Sequence, residues 1–143
     1  MTPNYDPSNI FAKILRGEAP CVKVYEDELA LAFMDVMPRA EGHTLVIPKV
    51  AARNLFDIRP DDLARFMPAV RKVARAVMTG MNADGISVQQ FNEAAGGQQV
   101  FHLHFHVLPR WSGISLRPPG GPFQNAEALR PHAEKIIAAL ALA

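Results

Sequence analysis

Cysteine is almost absent: among 143 residues only Cys21 carries a thiol. An intramolecular disulfide is impossible, and a cysteine-based zinc site lacks its ligands. This usage fits a reducing compartment. An excess of one charge is also missing. Lys and Arg number 15 against 14 for Asp and Glu, a net charge of +1. A dedicated nucleic-acid binder shows a clear basic excess, so that class is set aside. A small anionic ligand needs only a few aimed donors and stays in play. No apolar run approaches the ~20 residues of a membrane-spanning helix. Residues 1–20 lack the apolar stretch and cleavage site of a secretory signal, so the expectation is a cytoplasmic protein with no membrane partner. Hydrophobic residues make up 49% of the chain, enough at this length for one core without staples. A single domain over residues 1–143 is expected, with no repeat or linker dividing it.

The pattern of apolar residues gives the elements. Residues 1–8 carry two prolines and read as a loose arm. Asn9 can cap a short helix over residues 9–16, which Gly17 can end. Strands are expected over 22–26, 28–34 and 43–48, the first two joined by a turn at Glu26, Asp27 and Glu28. The clearest helix covers 61–81, with Leu63, Phe66, Met67, Val70, Val73, Ala74, Val77 and Met78 on one stripe. Pro60 suits a first helical position, whereas Pro68 should kink that helix or mark its true start. Strands at 85–90 and 101–109 flank a glycine- and amide-rich loop. A Pro/Gly-rich excursion over 112–122 precedes a closing helix over 125–142, interrupted in pattern by Pro131. The order favours an α+β layout: an antiparallel sheet of about five strands with helices on one face.

Three of the five histidines fall within five residues, in His102-Leu103-His104-Phe105-His106. Alternation along a strand puts all three imidazoles on one face and Phe101, Leu103, Phe105 and Val107 on the other. One histidine so placed is an ordinary polar residue; three in a row are not. Adjacent imidazoles partly out of water resist charging together, which holds them neutral near pH 7. Such a row serves either metal ligation or nucleophilic attack on phosphorus. No carboxylate occurs between Glu93 and Glu127, which weighs against the metal. The segment leading in, Asn92 to Gln99, is rich in Gly, Asn and Gln. Such residues let backbone and amide donors approach an anion.

The segment His-Leu-His-Phe-His-Val-Leu resembles the signature of the histidine triad family. The likeness extends through Asn9-Ile-Phe-Ala-Lys-Ile-Leu-Arg-Gly-Glu-Ala-Pro, Leu31-Ala-Phe-Met-Asp-Val, Gly42-His-Thr-Leu-Val-Ile-Pro-Lys and His106-Val-Leu-Pro-Arg. It spans residues 9–110 and points to the nucleoside-phosphoramidase-like branch. The resemblance implies a two-layer α+β fold and a homodimer. It implies His104 as the nucleophile toward the α-phosphorus, flanked by His102 and His106. Asn92, Gln98, Gln99 and Val100 would hold phosphate oxygens. Asp35 would bind the ribose hydroxyls, and Ile10, Phe11, Phe33 and Val36 would enclose a purine base. The expected reaction releases a nucleoside 5′-monophosphate from a phosphoramidate or adenylate. The alternatives are a dinucleoside polyphosphate hydrolase of the same family, a nucleotide-binding regulator and a zinc enzyme.

Two departures matter. Many relatives carry Cys-x-x-Cys where Asn9 and Ala12 stand here, so a structural zinc is expected to be lost, its matching His43 left as a structural histidine, and no cofactor required. Residues 111–143 match poorly, and leaving-group contacts are often set there. On residue type alone, His132 and the Arg65, Arg71, Lys72 and Arg75 face of the long helix read as solvated surface, and Cys21 as inert.

Overall fold

Three strands are buried almost without a break, and the sheet is built around them. The computed structural model describes residues 4–142. Strand β2 (Ala30–Met34) and strand β3 (Thr44–Pro48) are buried at every position. β5 (Phe105–Arg110) lies beside β3, and β1 (Lys23–Glu26) and β4 (Gly85–Gln89) form the two edges. The order is β1-β2-β3-β5-β4, antiparallel throughout. The β1–β2 turn is closed by Asp27: its Oδ1 accepts from the backbone N–H of Leu29 at 2.7 Å and of Ala30 at 2.8 Å. A short polar side chain that satisfies its own turn is the usual reason for Asp there.

Each face of the central strands has its own cover. Helix α2 (Pro60–Gly80) and helix α3 (Ala126–Ala141) pack on the face carrying Val24, Ala32, Val46, Phe105 and Val107. The short helix α1 (Ile10–Leu15) lies on the opposite face, where Phe11 meets Leu31, Phe33, Leu45 and Ile47. Alternation on β3 therefore separates two apolar clusters, not a core from solvent. No helix among the described residues is long and apolar enough to cross a membrane.

Both awkward prolines sit inside continuous helices. Pro68 removes the donor for the carbonyl of Ala64, and Pro131 that for Glu127. All four residues face solvent, where water can replace the missing bond. The stripe on α2 is rotated slightly from expectation: Ala69 and Ala76 are buried, while Met78 is exposed. Asn9 and Asn125 cap α1 and α3 through their side chains.

The arm expected at residues 1–8 is tied down over the part described. Tyr5 Oη lies 2.6 Å from His102 Nδ1, and Asn9 Nδ2 donates to the carbonyl of Asp6 at 2.8 Å. Met1 to Pro3 and Ala143 lie outside the described residues. A larger difference concerns the histidine strand. Residues 101–104 stand outside the ladder, and pairing begins at Phe105 opposite Val46. Leu103 points into the main core, whereas Phe101 lies under the Arg53 guanidinium at 4.1 Å.

At Gly80 the backbone of α3 lies directly against α2. A Cβ built there would sit 2.7 Å from the carbonyl oxygen of Lys135. Gly80→Ala gains about 1 kcal/mol of helix propensity but must push α3 backbone aside. The net effect is expected to be destabilisation of about 1–3 kcal/mol, read from the denaturant midpoint. An unchanged or raised midpoint would show that the contact yields freely.

Candidate active site

The break at residues 101–104 creates the central feature of the site. Because His102 is off the ladder, its carbonyl is free, and His104 Nδ1 lies 2.7 Å from it. A carbonyl only accepts, so Nδ1 carries the proton. In a neutral ring Nε2 is then an unprotonated lone pair, and it has no hydrogen-bond partner among the described residues. His104 is 8% exposed and packs edge-on against Phe11, with ring centroids 4.9 Å apart.

His102 is fully committed. Its Nε2 donates to the carbonyl of Pro48 at 2.8 Å, and its Nδ1 then accepts from Tyr5 Oη at 2.6 Å. It is wholly buried and presents no free nitrogen. Its contribution to the site is its carbonyl.

His106 is set by a chain of hydrogen bonds. The backbone N–H of Arg39 can only donate, so His43 Nδ1 accepts it at 3.0 Å. His43 Nε2 therefore carries a proton and donates to His106 Nδ1, also at 3.0 Å. The remaining His106 nitrogen, Nε2, is left as an N–H donor. Asp35 Oδ2 lies 3.4 Å from the same His43 nitrogen, and Asp35 Oδ1 accepts from the backbone N–H of Met37 at 2.7 Å. The sheet register brings this about: Leu45, two residues from His43, pairs with His106. The sequence presents His43 as a plain structural histidine, since nothing local links it to a residue 63 positions away.

Asp35, His43 and His106 also form the one group among the described residues arranged to hold a metal, with ligand atoms within 4.8 Å of one another. The donor chemistry does not fit. A metal on His43 Nε2 would move the ring proton to Nδ1, where it would oppose the Arg39 N–H. Nothing among the described residues joins His43 to Asn9 or Ala12; its partners are Arg39, Asp35 and His106.

The expected phosphate residues occupy one loop in different roles. Gln98 is 3% exposed, and both its donors are spent on the carbonyls of Arg53 at 2.7 Å and Val100 at 3.0 Å. Its Oε1 accepts from the backbone N–H of Glu93. Gln98 thus holds the loop's shape. Asn92 forms a reciprocal pair with Gln90 and keeps one N–H unspent. The backbone N–H groups of Gln99 and Val100 have no protein acceptor among the described residues. The loop's turns need positive φ at Glu93 (65°) and Gly97 (100°). A buttress that the sequence does not reveal secures them: Arg53 pairs bidentately with Glu93 at 2.9 Å, and buried Asn54 reaches both Glu93 and Gln98. Of the expected base residues, Phe11 and Phe33 are buried in contact at 5.3 Å between centroids, while Ile10 and Val36 are exposed. Phe91, which no sequence signal singles out, stands 5.5 Å from the His106 ring.

Burial drives the imidazoles away from their charged form. Desolvation, joined by neighbouring positive groups, pushes His43 and His106 down to about 3. Desolvation takes His102 down to about 4 against the opposing pull of the Pro48 carbonyl, and it lowers His104 as well. The unfolded chain therefore binds protons at these rings below about pH 6.5 while the folded chain does not. Stability from this source is complete above that pH and is lost as pH falls toward about 3. Each ring contributes a slope of up to ~1.4 kcal/mol per pH unit. The melting temperature is expected to fall steadily from pH 7 to pH 5, with a shallower fall in His43→Asn. A flat profile would mean that the rings charge freely in the folded state.

Comparison with known proteins places the chain by sequence and fold. Residues 16–113 match the HIT domain. An adenosine 5′-monophosphoramidase of Schizosaccharomyces pombe is 40% identical over 123 residues, covering 84% of this chain and 90% of that one. The crystal structure of a Hit-like protein from Bartonella henselae superposes with a TM-score of 0.91 at 51% identity, over 96% of this chain and 99% of that one. A zinc-bound histidine triad protein from Mycobacterium smegmatis gives 0.82 at 36% identity, over 94% of each chain. With its three histidines, its five-stranded sheet and these matches, the chain belongs to the HIT domain family.

Proposed function

We propose that this protein is a nucleotide hydrolase that takes the nucleotidyl group onto His104 and releases a nucleoside 5′-monophosphate. The observation that carries the reading is the His104 Nδ1–H bond to the His102 carbonyl at 2.7 Å, which leaves Nε2 as a nucleophilic lone pair. The relative named as an adenosine 5′-monophosphoramidase supports a phosphoramidate or related adenylate as substrate.

In this scheme the Nε2 lone pair forms a bond to the α-phosphorus as the bond to the leaving amine breaks. The amine takes a proton from solvent. The phosphorylated ring becomes cationic, and the His102 carbonyl faces the positive Nδ1–H. His106 Nε2–H donates to the phosphoryl oxygens, where transition-state charge develops. The free N–H of Asn92 and the backbone N–H groups of Gln99 and Val100 supply further donors. Water then attacks phosphorus, breaks the nitrogen–phosphorus bond and returns His104 to its neutral form. We read this chemistry as independent of metal, because the tautomer of His43 opposes a ligand there. We further propose a homodimer, for which the open edge of β4 with exposed Val88, and exposed Met78 on α2, offer surface.

His104→Asn is expected to lower turnover of an adenosine 5′-phosphoramidate, assayed in chelator, by at least about 10³-fold, as loss of a nucleophile does elsewhere. Mass spectrometry of quenched wild-type enzyme should place an adenylyl adduct on His104. Near-normal turnover in the variant, or an adduct elsewhere, would end the assignment. On the sugar side, Asp35 retains accepting capacity beyond its bond to Met37. Calorimetry should show AMP binding more tightly than deoxy-AMP, with the difference lost in Asp35→Ala. Among bases, an apolar slot discriminates by only ~1–3 kcal/mol. Equal affinity of wild type for the two sugars would remove Asp35 from ribose recognition.

A further inference from the structure

The donors of the phosphate loop come from its two ends. Asn92 stands at one end, and the backbone N–H groups of Gln99 and Val100 at the other. Between them lies a single 3₁₀ turn over Ala94–Gly96. Donors so far apart in the chain meet one anion only if both ends are held.

Glu93, the residue after Asn92, has φ 65° and ψ 163°. That region is close to glycine-only, and another residue stays there only when its surroundings over-determine it. Here they do. The Glu93 N–H donates to Gln98 Oε1 at 2.8 Å, and its carbonyl accepts from the N–H groups of Gly96 at 3.0 Å and Gln98 at 3.1 Å. Its carboxylate accepts from Arg53 Nε and Nη2, both at 2.9 Å, and from Asn54 Nδ2.

The same guanidinium reaches the far end of the loop. It lies 4.1 Å from the ring centroid of Phe101, the residue after Val100. Arg53 therefore meets the residue that follows the donors at each end, Glu93 through a forked ion pair and Phe101 through the ring face. A guanidinium does both at once, because its edge donates while its plane stacks. The Arg53 side chain is only 14% exposed.

Arg53 is itself fixed by the turn it begins. Asp57 Oδ2 accepts from the Arg53 N–H at 2.8 Å, and Asp57 Oδ1 from the Asn54 N–H at 2.9 Å. From the same turn the Leu55 N–H donates to Asn92 Oδ1 at 3.0 Å. An N–H has no choice of role, so the unspent group of the Asn92 amide is its Nδ2 donor. The Arg53 carbonyl accepts from Gln98 Nε2 at 2.7 Å. One turn thus grips the loop at Asn92, Glu93 and Gln98, and the Arg53 side chain adds Phe101.

We infer that Arg53 is a positioning residue for phosphate recognition: through Glu93 and Phe101 it holds both ends of the loop, so that the Asn92 amide and the N–H groups of Gln99 and Val100 face one anion. The inference rests on the reading of this loop as the phosphate site. The Arg53 charge is matched by the Glu93 carboxylate, so its part is to shape the loop and not to attract the phosphate itself.

Calorimetry on the full chain compares AMP with adenosine, which lacks the phosphate. Wild type is expected to bind AMP at least about tenfold more tightly. Arg53→Met and Glu93→Gln should each remove most of that ratio and leave adenosine affinity unchanged. The double variant should lose no more than the worse single variant, since both act through one contact. Arg53→Lys keeps the charge without the planar fork, and its ratio should fall as well; it also serves where Arg53→Met fails to fold. AMP and adenosine weakened alike would mean a general loss of structure. A ratio unchanged in either single variant would mean a loop that holds itself, and additive losses would mean two separate roles. Each of these overturns the inference. So does tighter AMP binding in Glu93→Gln, or a wild-type ratio in Arg53→Lys, because either makes Arg53 a charge felt by the phosphate. A wild type that binds AMP no better than adenosine removes the phosphate site, and the inference with it. If AMP is preferred but no phosphoramidate is turned over, the hydrolase reading fails while the AMP and adenosine ratios still decide the role of Arg53.

Discussion

The chemistry hangs on one hydrogen bond, from His104 Nδ1 to the carbonyl of His102. It exists because residues 101–104 leave the sheet before β5 begins. In a paired strand that carbonyl would point sideways into a neighbour and be consumed by the ladder. Released, it becomes a fixed acceptor that decides which nitrogen of the central imidazole carries the proton. Leu103, whose N–H donates to the Ala52 carbonyl at 2.8 Å, anchors the turn against the core. A packing contact on one side of the sheet therefore sets a tautomer on the other.

A second constraint is dryness. Four imidazoles share a small volume, and each of His43, His102 and His104 is buried. Every one has a partner for at least one nitrogen, and no buried side-chain polar atom among the described residues lacks a hydrogen bond. Neutral rings can form a directed chain in which each accepts at one nitrogen and donates at the other; charged rings cannot, since both nitrogens would donate. The direction of the chain begins with a backbone N–H, a group with no choice of role. Together with the carbonyls of His102 and Pro48, which fix His104 and His102, backbone groups set the tautomer of every ring in the array.

Much of the fold is legible in the sequence because its signals are local. Apolar runs mark β2 and β3, the apolar stripe marks α2, and an asparagine cap marks the start of α1. The triad histidines, Asp35 and Phe11 are singled out by their resemblance to a known pattern. What escapes depends on distance in sequence. Alternation starts β5 four residues too early, since alternating His and apolar residues look the same paired or unpaired. His43 gains its role only through the β3–β5 register. Gln98 looks like a ligand donor because sequence does not reveal that its amide is already spent on backbone. The loop prolines and glycines of residues 112–124 say only that regular structure is absent. They do not say that the segment lies along residues 36–39.

The loose attachment of that segment bears on how the protein can evolve. The sheet carries the histidines proposed to act on phosphorus, and a slip of one residue in β5 would turn His106 into the core and expose Val107. Its register therefore tolerates no insertion. The excursion over residues 112–124 is joined to residues 36–39 by a few hydrogen bonds and contributes no strand. Length and composition there can drift while the catalytic geometry stays intact. Strand pairing and the surface excursion are thus separable parts of this chain, one fixed in register and the other free to vary.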